Sequence, residues 1–294
     1  MPPRIPLSAF PPSINAVGPS RLYISSAPAK GKAVVSENNV IPPLPRPLGI
    51  PYPPTSAAKT WTQRKAEMLD DDRAKVKRKA LLNEAKQGYF HDYNRARARD
   101  GGKLWLAPDV LIREDKANYF PNISGKSLLS TPLNTCDVFP SKTTLVTIIS
   151  TRLSEEHVES MIRGVLEYAE GHFGFQHLTI NHQPNMLKSL LISLSISSLK
   201  RTVPSNLWGS YLLASGSWSQ IDVLEPLGLQ NSLIGYVFLV DGNGKVRWAG
   251  CGEATGQEAE HLRRATAVLL GRMKSQRQVD ASIECVDGPA RSED

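Results

Sequence analysis

The residues best suited to chemistry in this 294-residue chain are three cysteines (Cys136, Cys251 and Cys285) and six histidines (His91, His157, His172, His177, His182 and His261). No two cysteines form a Cys-x-x-Cys pair, the spacing at which a redox thiol is activated. An odd cysteine count does not suit a secreted disulfide scaffold and fits a reducing compartment better. Cys251 reads as a small buried filler rather than a reactive thiol, and the sequence assigns no role to Cys136 or Cys285. His172, His177 and His182 lie five apart, with no cysteine or close carboxylate pattern beside them, so they read as ordinary histidines rather than metal ligands. Asp241-Gly242-Asn243-Gly244 resembles the start of a calcium loop, but the distal glutamate and the remaining ligands are missing. There is no Walker A motif and no Rossmann fingerprint. The residues therefore give no catalytic, cofactor-binding or metal site, and no cofactor is expected.

The elements that would position such residues are easier to read. Ile234 to Val240 and Lys245 to Gly250 are rich in β-branched and aromatic residues and flank a turn of Asp, Asn and two Gly, which predicts a hairpin. Thr255-Gly256-Gln257-Glu258 then offers a capping box, and Leu262, Ala265, Leu269 and Met273 follow at helical spacing. Upstream, the continuous β-branched run at 143–150 suits a central strand buried on both faces. Ser154-Glu155-Glu156 can cap the next helix, whose apolar face is Val158, Ile162, Val165, Leu166 and Ala169. Phe175 to Asn181 reads as a second strand, and Pro184 as the start of a helix running to about Lys200. The order is β-α-β-α-β-β-α. It predicts an α/β chain with a thioredoxin-like (peroxiredoxin-like) central mixed sheet flanked by helices. A redox thioredoxin carries its cysteines just after the first central strand, at a helix N-terminus that favours thiolate. Here those positions are Ser150-Thr151-Arg152-Leu153-Ser154, and Pro226 lies eight residues before 234, too far to serve as the proline that precedes the next strand.

Composition divides the chain further. Fourteen of the 22 prolines lie in residues 1–60, and net charge runs +5 over 1–60, +5 over 61–103 and −3 over 104–294. Residues 1–58 read as a disordered, proline-rich segment with mitochondrial targeting character, being basic, serine-containing and poor in acids. Residues 59–103 read as a charged basic helix, continuous from 61 to 99 and stopped at Gly101-Gly102. Residues 104–277 form the thioredoxin-like domain and 278–294 a polar C-terminal tail. The basic run Arg73, Lys75, Lys77, Arg78 and Lys79 could attract anionic lipid, but the interleaved Asp70, Asp71, Asp72 and Glu84 suit a solvated helix face. It lacks the interleaved aromatics that stack on bases, so nucleic acid is not an expected partner. No run reaches the ~18–20 apolar residues needed to span a bilayer. The longest candidate, Met186 to Leu199, is broken by Lys188 and several serines.

Two elements carry a family resemblance. The first is Gly-Gly-Lys-x-Trp from Gly101 with Ala-x-Tyr-Phe-Pro-Asn-x-x-Gly-Lys from Ala117. The second is Gly235-Tyr236-Val237-Phe238-Leu239-Val240-Asp241 with Lys245-x-Arg247-Trp248-Ala249-Gly250-x-Gly252. Over roughly residues 61–273 the chain resembles the fungal mitochondrial ATP synthase assembly factor that assists subunit a (subunit 6) of the membrane sector. The resemblance implies a chaperone on the matrix side of the mitochondrial inner membrane, peripherally attached and made with a transit peptide. It would bind newly made subunit a and assist its joining to the proton-carrying ring, with no enzyme activity and no cofactor. The competing expectation is a peroxiredoxin-like thiol oxidoreductase using Cys251 alone.

Overall fold

The computed structural model describes residues 41–57, 60–86, 92–93, 102–183, 196–215 and 218–286. Of the two units into which the chain divides, Met1–Asn39 lies outside these residues, and Val40–Asp294 contains all of them. Its centre is β3 (Thr143–Ile149), with every residue buried. An uncharged Thr-Thr-Leu-Val-Thr-Ile-Ile run has no face suited to water, so it can only sit between two packed layers. α4 (Arg152–Ala169) follows, and β4 (Phe175–Gln183) returns parallel to β3. On the other side of β3 lie the antiparallel hairpin strands β6 (Tyr236–Val240) and β7 (Val246–Cys251). The order β4-β3-β6-β7, closed by helix α6 (Gly256–Val286), makes the domain thioredoxin-like.

Successive residues of β3 feed two cores. Val146 and Ile148 join Trp105, Phe120, Phe238 and Leu227 on one face. Leu145 and Ile149 join Val158, Met161, Val165, Leu262 and Leu269 on the other, under α4 and α6. Both helices turn the apolar stripes their spacing predicts toward the core, with Leu166 and Met273 half-buried. The cap of α4 is Thr151 rather than Ser154. Thr151 Oγ1 accepts from the Ser154 amide, and Ser154 Oγ accepts from the Thr151 amide in return. The Thr255–Glu258 box forms as expected at α6, although that helix runs on to Val286, beyond the end of its apolar stripe.

Three strands widen the sheet beyond what periodicity suggested. β5 (Tyr211–Ser215) lies parallel to β4, and β1 (Ser124–Ser127) with β2 (Pro132–Asn134) extends it, giving β2-β1-β5-β4-β3-β6-β7. The Gly-Lys of the sequence motif is thus part of a strand. A Cβ on Gly125 would sit 2.4 Å from the Leu213 carbonyl oxygen, so only glycine lets β5 approach. A short helix α3 (Thr135–Val138) follows β2, and α5 (Ile196–Thr202) precedes β5. The helix expected to start at Pro184 is described only from Ile196; residues 184–195 lie outside the described residues.

The charged N-terminal region is two helices rather than one, α1 (Trp61–Met68) and α2 (Asp71–Lys86). The break has a local cause. Asp70 Oδ1 accepts from the amides of Asp72 and Arg73, which makes it the cap of a new helix. Residues 87–91 and 94–101 of the expected helix lie outside the described residues. The expectation of disorder through residue 58 does not hold for 41–57. Leu48 and Ile50 are buried, and Leu106, Pro42 and Leu44 exchange backbone hydrogen bonds. Proline favours extended backbone, and here that extended backbone is packed against the domain.

The outer edge of β7 is covered. Residues 104–120 run past it, with Ile112 donating to the Arg247 carbonyl and Val246 donating to the Asn118 carbonyl. Arg247, 3 % exposed, fixes this cover. Its Nε donates to the Ile112 carbonyl at 2.7 Å, and its Nη1 pairs with Asp241 at 2.9 Å. Asp241 also holds the hairpin turn by accepting from the Asn243 and Lys245 amides. Removing one partner of such a buried pair leaves the other unpaired, at about 3–5 kcal/mol. Arg247→Ala is therefore expected to lower unfolding free energy by about that amount, measured by urea denaturation. A loss under about 1 kcal/mol would mean the pair is solvent-screened.

Candidate functional site

The turn after β3 is where thioredoxin-like folds place redox thiols, and in this chain it is closed by hydroxyl groups. Ser150 Oγ donates to the Ser232 carbonyl, and Thr151 Oγ1 donates to the Leu233 carbonyl at 2.9 Å. Ser154 Oγ donates to the Thr151 carbonyl at 2.6 Å. The segment leading into β6 is Leu233-Ile234-Gly235, without proline. The Ser154 amide at the start of α4 and the Ser232 and Leu233 carbonyls of the facing loop are thus engaged within the chain. His157, one turn further along, is 4 % exposed, and burial lowers its pKa, so it stays neutral. Its Nδ1 has no hydrogen-bond partner among the described residues, and Ser160 Oγ donates to its backbone carbonyl at 2.7 Å rather than to the ring.

A second cluster is built from the two motif elements together. Lys103 Nζ reaches Glu258 Oε2 at 2.8 Å and donates to the Cys251 carbonyl at 3.1 Å, with both charged side chains almost fully buried. The same carboxylate accepts from the Thr255 amide and hydroxyl, both at 2.9 Å, and its other oxygen accepts from the Ala107 amide at 2.9 Å. Burial alone would raise the Glu258 pKa, but the Ala107 amide, Lys103 and the Thr255 amide outweigh it, and the net shift is downward. Gly252, at φ 67°, lets the chain turn against Lys103, since a Cβ there would lie 3.2 Å from Lys103 Cα. Trp105 packs near Tyr236, with ring centroids 6.0 Å apart.

Cys251 sits inside this cluster. Its sulfur accepts from the Leu104 amide at 3.4 Å and its thiol donates to the Trp105 carbonyl at 3.7 Å. Burial pushes the thiol up to about 11. A thiol so protonated and enclosed is a packing group and not a nucleophile at neutral pH. Cys136 lies on α3, and burial together with Asp137 raises its pKa as well. Cys285 lies on the last part of α6.

The three evenly spaced histidines do not converge. His172 is in the loop after α4; His177, on β4, contacts Thr147 Oγ1 at 3.1 Å; and His182 stacks on Trp218 at 3.6 Å. Burial lowers the His177 pKa to about 4. His261 faces Asp109 from α6 at 3.5 Å, and His91 lies outside the described residues. Among the described residues no His, Cys, Asp and Glu side chains gather in threes as metal ligands. The Lys103–Glu258 contact went unforeseen. Lys103 and Glu258 each stood in a recognised motif, but 155 positions separate them and no local pattern links them.

The fold and this cluster define a thioredoxin-like domain with no thiol at the usual redox turn. Its two motif elements form one buried structural joint. The family model described as ATP10 protein matches residues 29–269, and the chain belongs to that family. The mitochondrial ATPase complex subunit ATP10 of Candida glabrata is 32% identical over 236 residues, covering 77% of this chain and 84% of the relative. Its Saccharomyces cerevisiae counterpart, of the same name, is 30% identical over 237 residues, covering 74% and 84%. Among solved structures, a DsbF homologue from Corynebacterium diphtheriae aligns at a TM-score of 0.38 and 13% identity over 54% of this chain and 92% of that one.

Two outcomes follow from the cluster. Lys103→Met should destabilise the domain by about 3–5 kcal/mol near neutral pH. Because Lys103 helps depress the Glu258 pKa, the wild type keeps this advantage above the ordinary carboxylate range and loses it as pH falls through it. Denaturation of both proteins across that range should show the gap closing toward acid; a gap independent of pH would contradict the ion pair. Cys251 should also resist maleimide labelling in the folded chain and label on unfolding, read by mass spectrometry. Rapid native labelling at Cys251 would restore the thiol-enzyme expectation.

Proposed function

We propose that this chain is a mitochondrial ATP synthase assembly factor that binds newly made subunit a (subunit 6) and assists its incorporation into the proton-translocating membrane sector, beside the proton-carrying ring. Membership of the ATP10 family across residues 29–269 carries this reading. The relatives' own names place them with a mitochondrial ATPase complex. The geometry supports a binding role over a redox one. The turn after β3 is closed by hydroxyl-to-carbonyl bonds, and Cys251 is protonated inside a packed joint. In this reading the protein is not an enzyme and needs no cofactor. It works on the matrix side of the inner membrane as a peripheral protein, and among the described residues no helix is long and apolar enough to cross a bilayer. Targeting information lies within residues 1–58, the charged helical segment within 59–103 and the client-handling domain within 104–277, followed by the tail from 278.

The test is crosslinking of the tagged chain in mitochondria while new inner-membrane subunits are pulse-labelled. Labelled subunit a should be recovered early and chased into the complete complex. Capture of a soluble thiol partner through Cys251, with no subunit a, would overturn the proposal.

A further inference from the structure

We propose that the outward face of α2 is the surface through which this protein sits on an anionic phospholipid bilayer; this rests on the peripheral attachment proposed above. Lys75, Arg78, Lys79 and Leu82 recur at spacings of three, four and seven, the pattern of one helix face, and all four are exposed, Leu82 at 55%. The helix is held to the domain from a different side. Arg73 is half-buried and pairs with Asp222 at 3.2 Å on the π-helical turn Gln220–Leu224, with Glu67 and Asp70 at 3.6 and 3.8 Å. Arg73 therefore anchors α2, while Lys75, Arg78 and Lys79 are exposed. The acids offset them only in part. Asp71 and Asp72 occupy the first turn, where a helix prefers anions, and the Lys75–Asp72 contact at 3.0 Å joins two largely exposed side chains and binds weakly.

Charge by itself would fit any polyanion, and the apolar residues decide between them. Leu82 lies among the cations, Leu69 between α1 and α2 is 72% exposed, and Trp61 at the start of α1 is 73% exposed. Water gives these side chains nothing, whereas a headgroup boundary takes leucine into its apolar side, tryptophan at its interface and lysine or arginine among phosphates. A single-stranded nucleic acid would want several ring faces in register with the cations. The aromatic residue on these two helices is Trp61, and Lys65 already lies over its ring at 5.3 Å. On α6, Arg263 and Arg264 are both bound to Glu260.

The experiment is co-sedimentation of the full chain with phosphatidylcholine vesicles, with and without phosphatidylglycerol. The wild type should bind only the anionic vesicles, and added salt should weaken binding. The double variant Arg78→Glu/Lys79→Glu should bind at least about a hundredfold more weakly, and Leu82→Gln should bind measurably less at every salt concentration. Arg272→Glu/Lys274→Glu on α6 should bind like the wild type. The proposal is overturned if the wild type stays in solution with anionic vesicles, if the α6 variant loses as much as the α2 variant, or if single-stranded RNA competes the chain off the vesicles. A chain that crosslinks subunit a yet ignores anionic vesicles overturns this surface and leaves the client reading standing. A chain that binds vesicles through α2 but never yields the crosslink does the reverse.

Discussion

The ion pair between Lys103 and Glu258 is the joint on which the rest of this domain depends. It ties the segment that precedes the sheet to the first turn of the last helix, and through the Cys251 carbonyl to the end of β7. Burying two charges is costly, and a pair of apolar side chains of the same volume could be as stable. The ionic version offers directional restraint. Glu258 satisfies the α6 cap, receives the Ala107 amide and neutralises Lys103 at once, so three segments are positioned by one carboxylate. Leu104, whose amide donates to the Cys251 sulfur, and Gly252, which turns against Lys103, pack around it.

The turn after β3 and the buried Cys251 both differ from the arrangement of a redox thioredoxin. Where a redox relative would need a loop carbonyl free and a thiolate at a helix N-terminus, Ser150 and Thr151 hold the carbonyls of Ser232 and Leu233. The remaining buried thiol is enclosed by the residues that make the joint, which raise its pKa by excluding water.

How much of this was legible depends on whether the determining forces are local. β3 was visible because seven successive residues of its sequence suit burial on both faces, and the β6–β7 hairpin because Asp241 and its glycines specify the turn. The α6 cap was visible because Thr255 and Glu258 are three apart. β5, β1 and β2 were not, since Ser124–Ser127 and Pro132–Asn134 are short and polar and become strands only by pairing with distant neighbours. Residues 41–57 looked like a tail because proline density signals missing helix, yet Leu48 and Ile50 give that extended stretch something to bury. At the candidate site, the missing turn cysteines were plain in the sequence. The pairing of Lys103 with Glu258 was not, because a lone lysine is ordinarily a surface residue.

The cover over the β7 edge sets an order of events. Within 42–57 and 102–120, residues hydrogen-bond and pack against the hairpin, the turn before β6 and α6, across separations of 148 to 155 positions at the joint itself. Contacts so distant in sequence close late, after the strands and helices they bridge exist. The part of the chain made first is therefore the part that settles last. Until the C-terminal helix has formed, Lys103 has no counter-charge, and until residues 104–120 are laid along it the β7 edge lies open, ready to pair with another chain. A protein built this way is most in need of protection during its own synthesis.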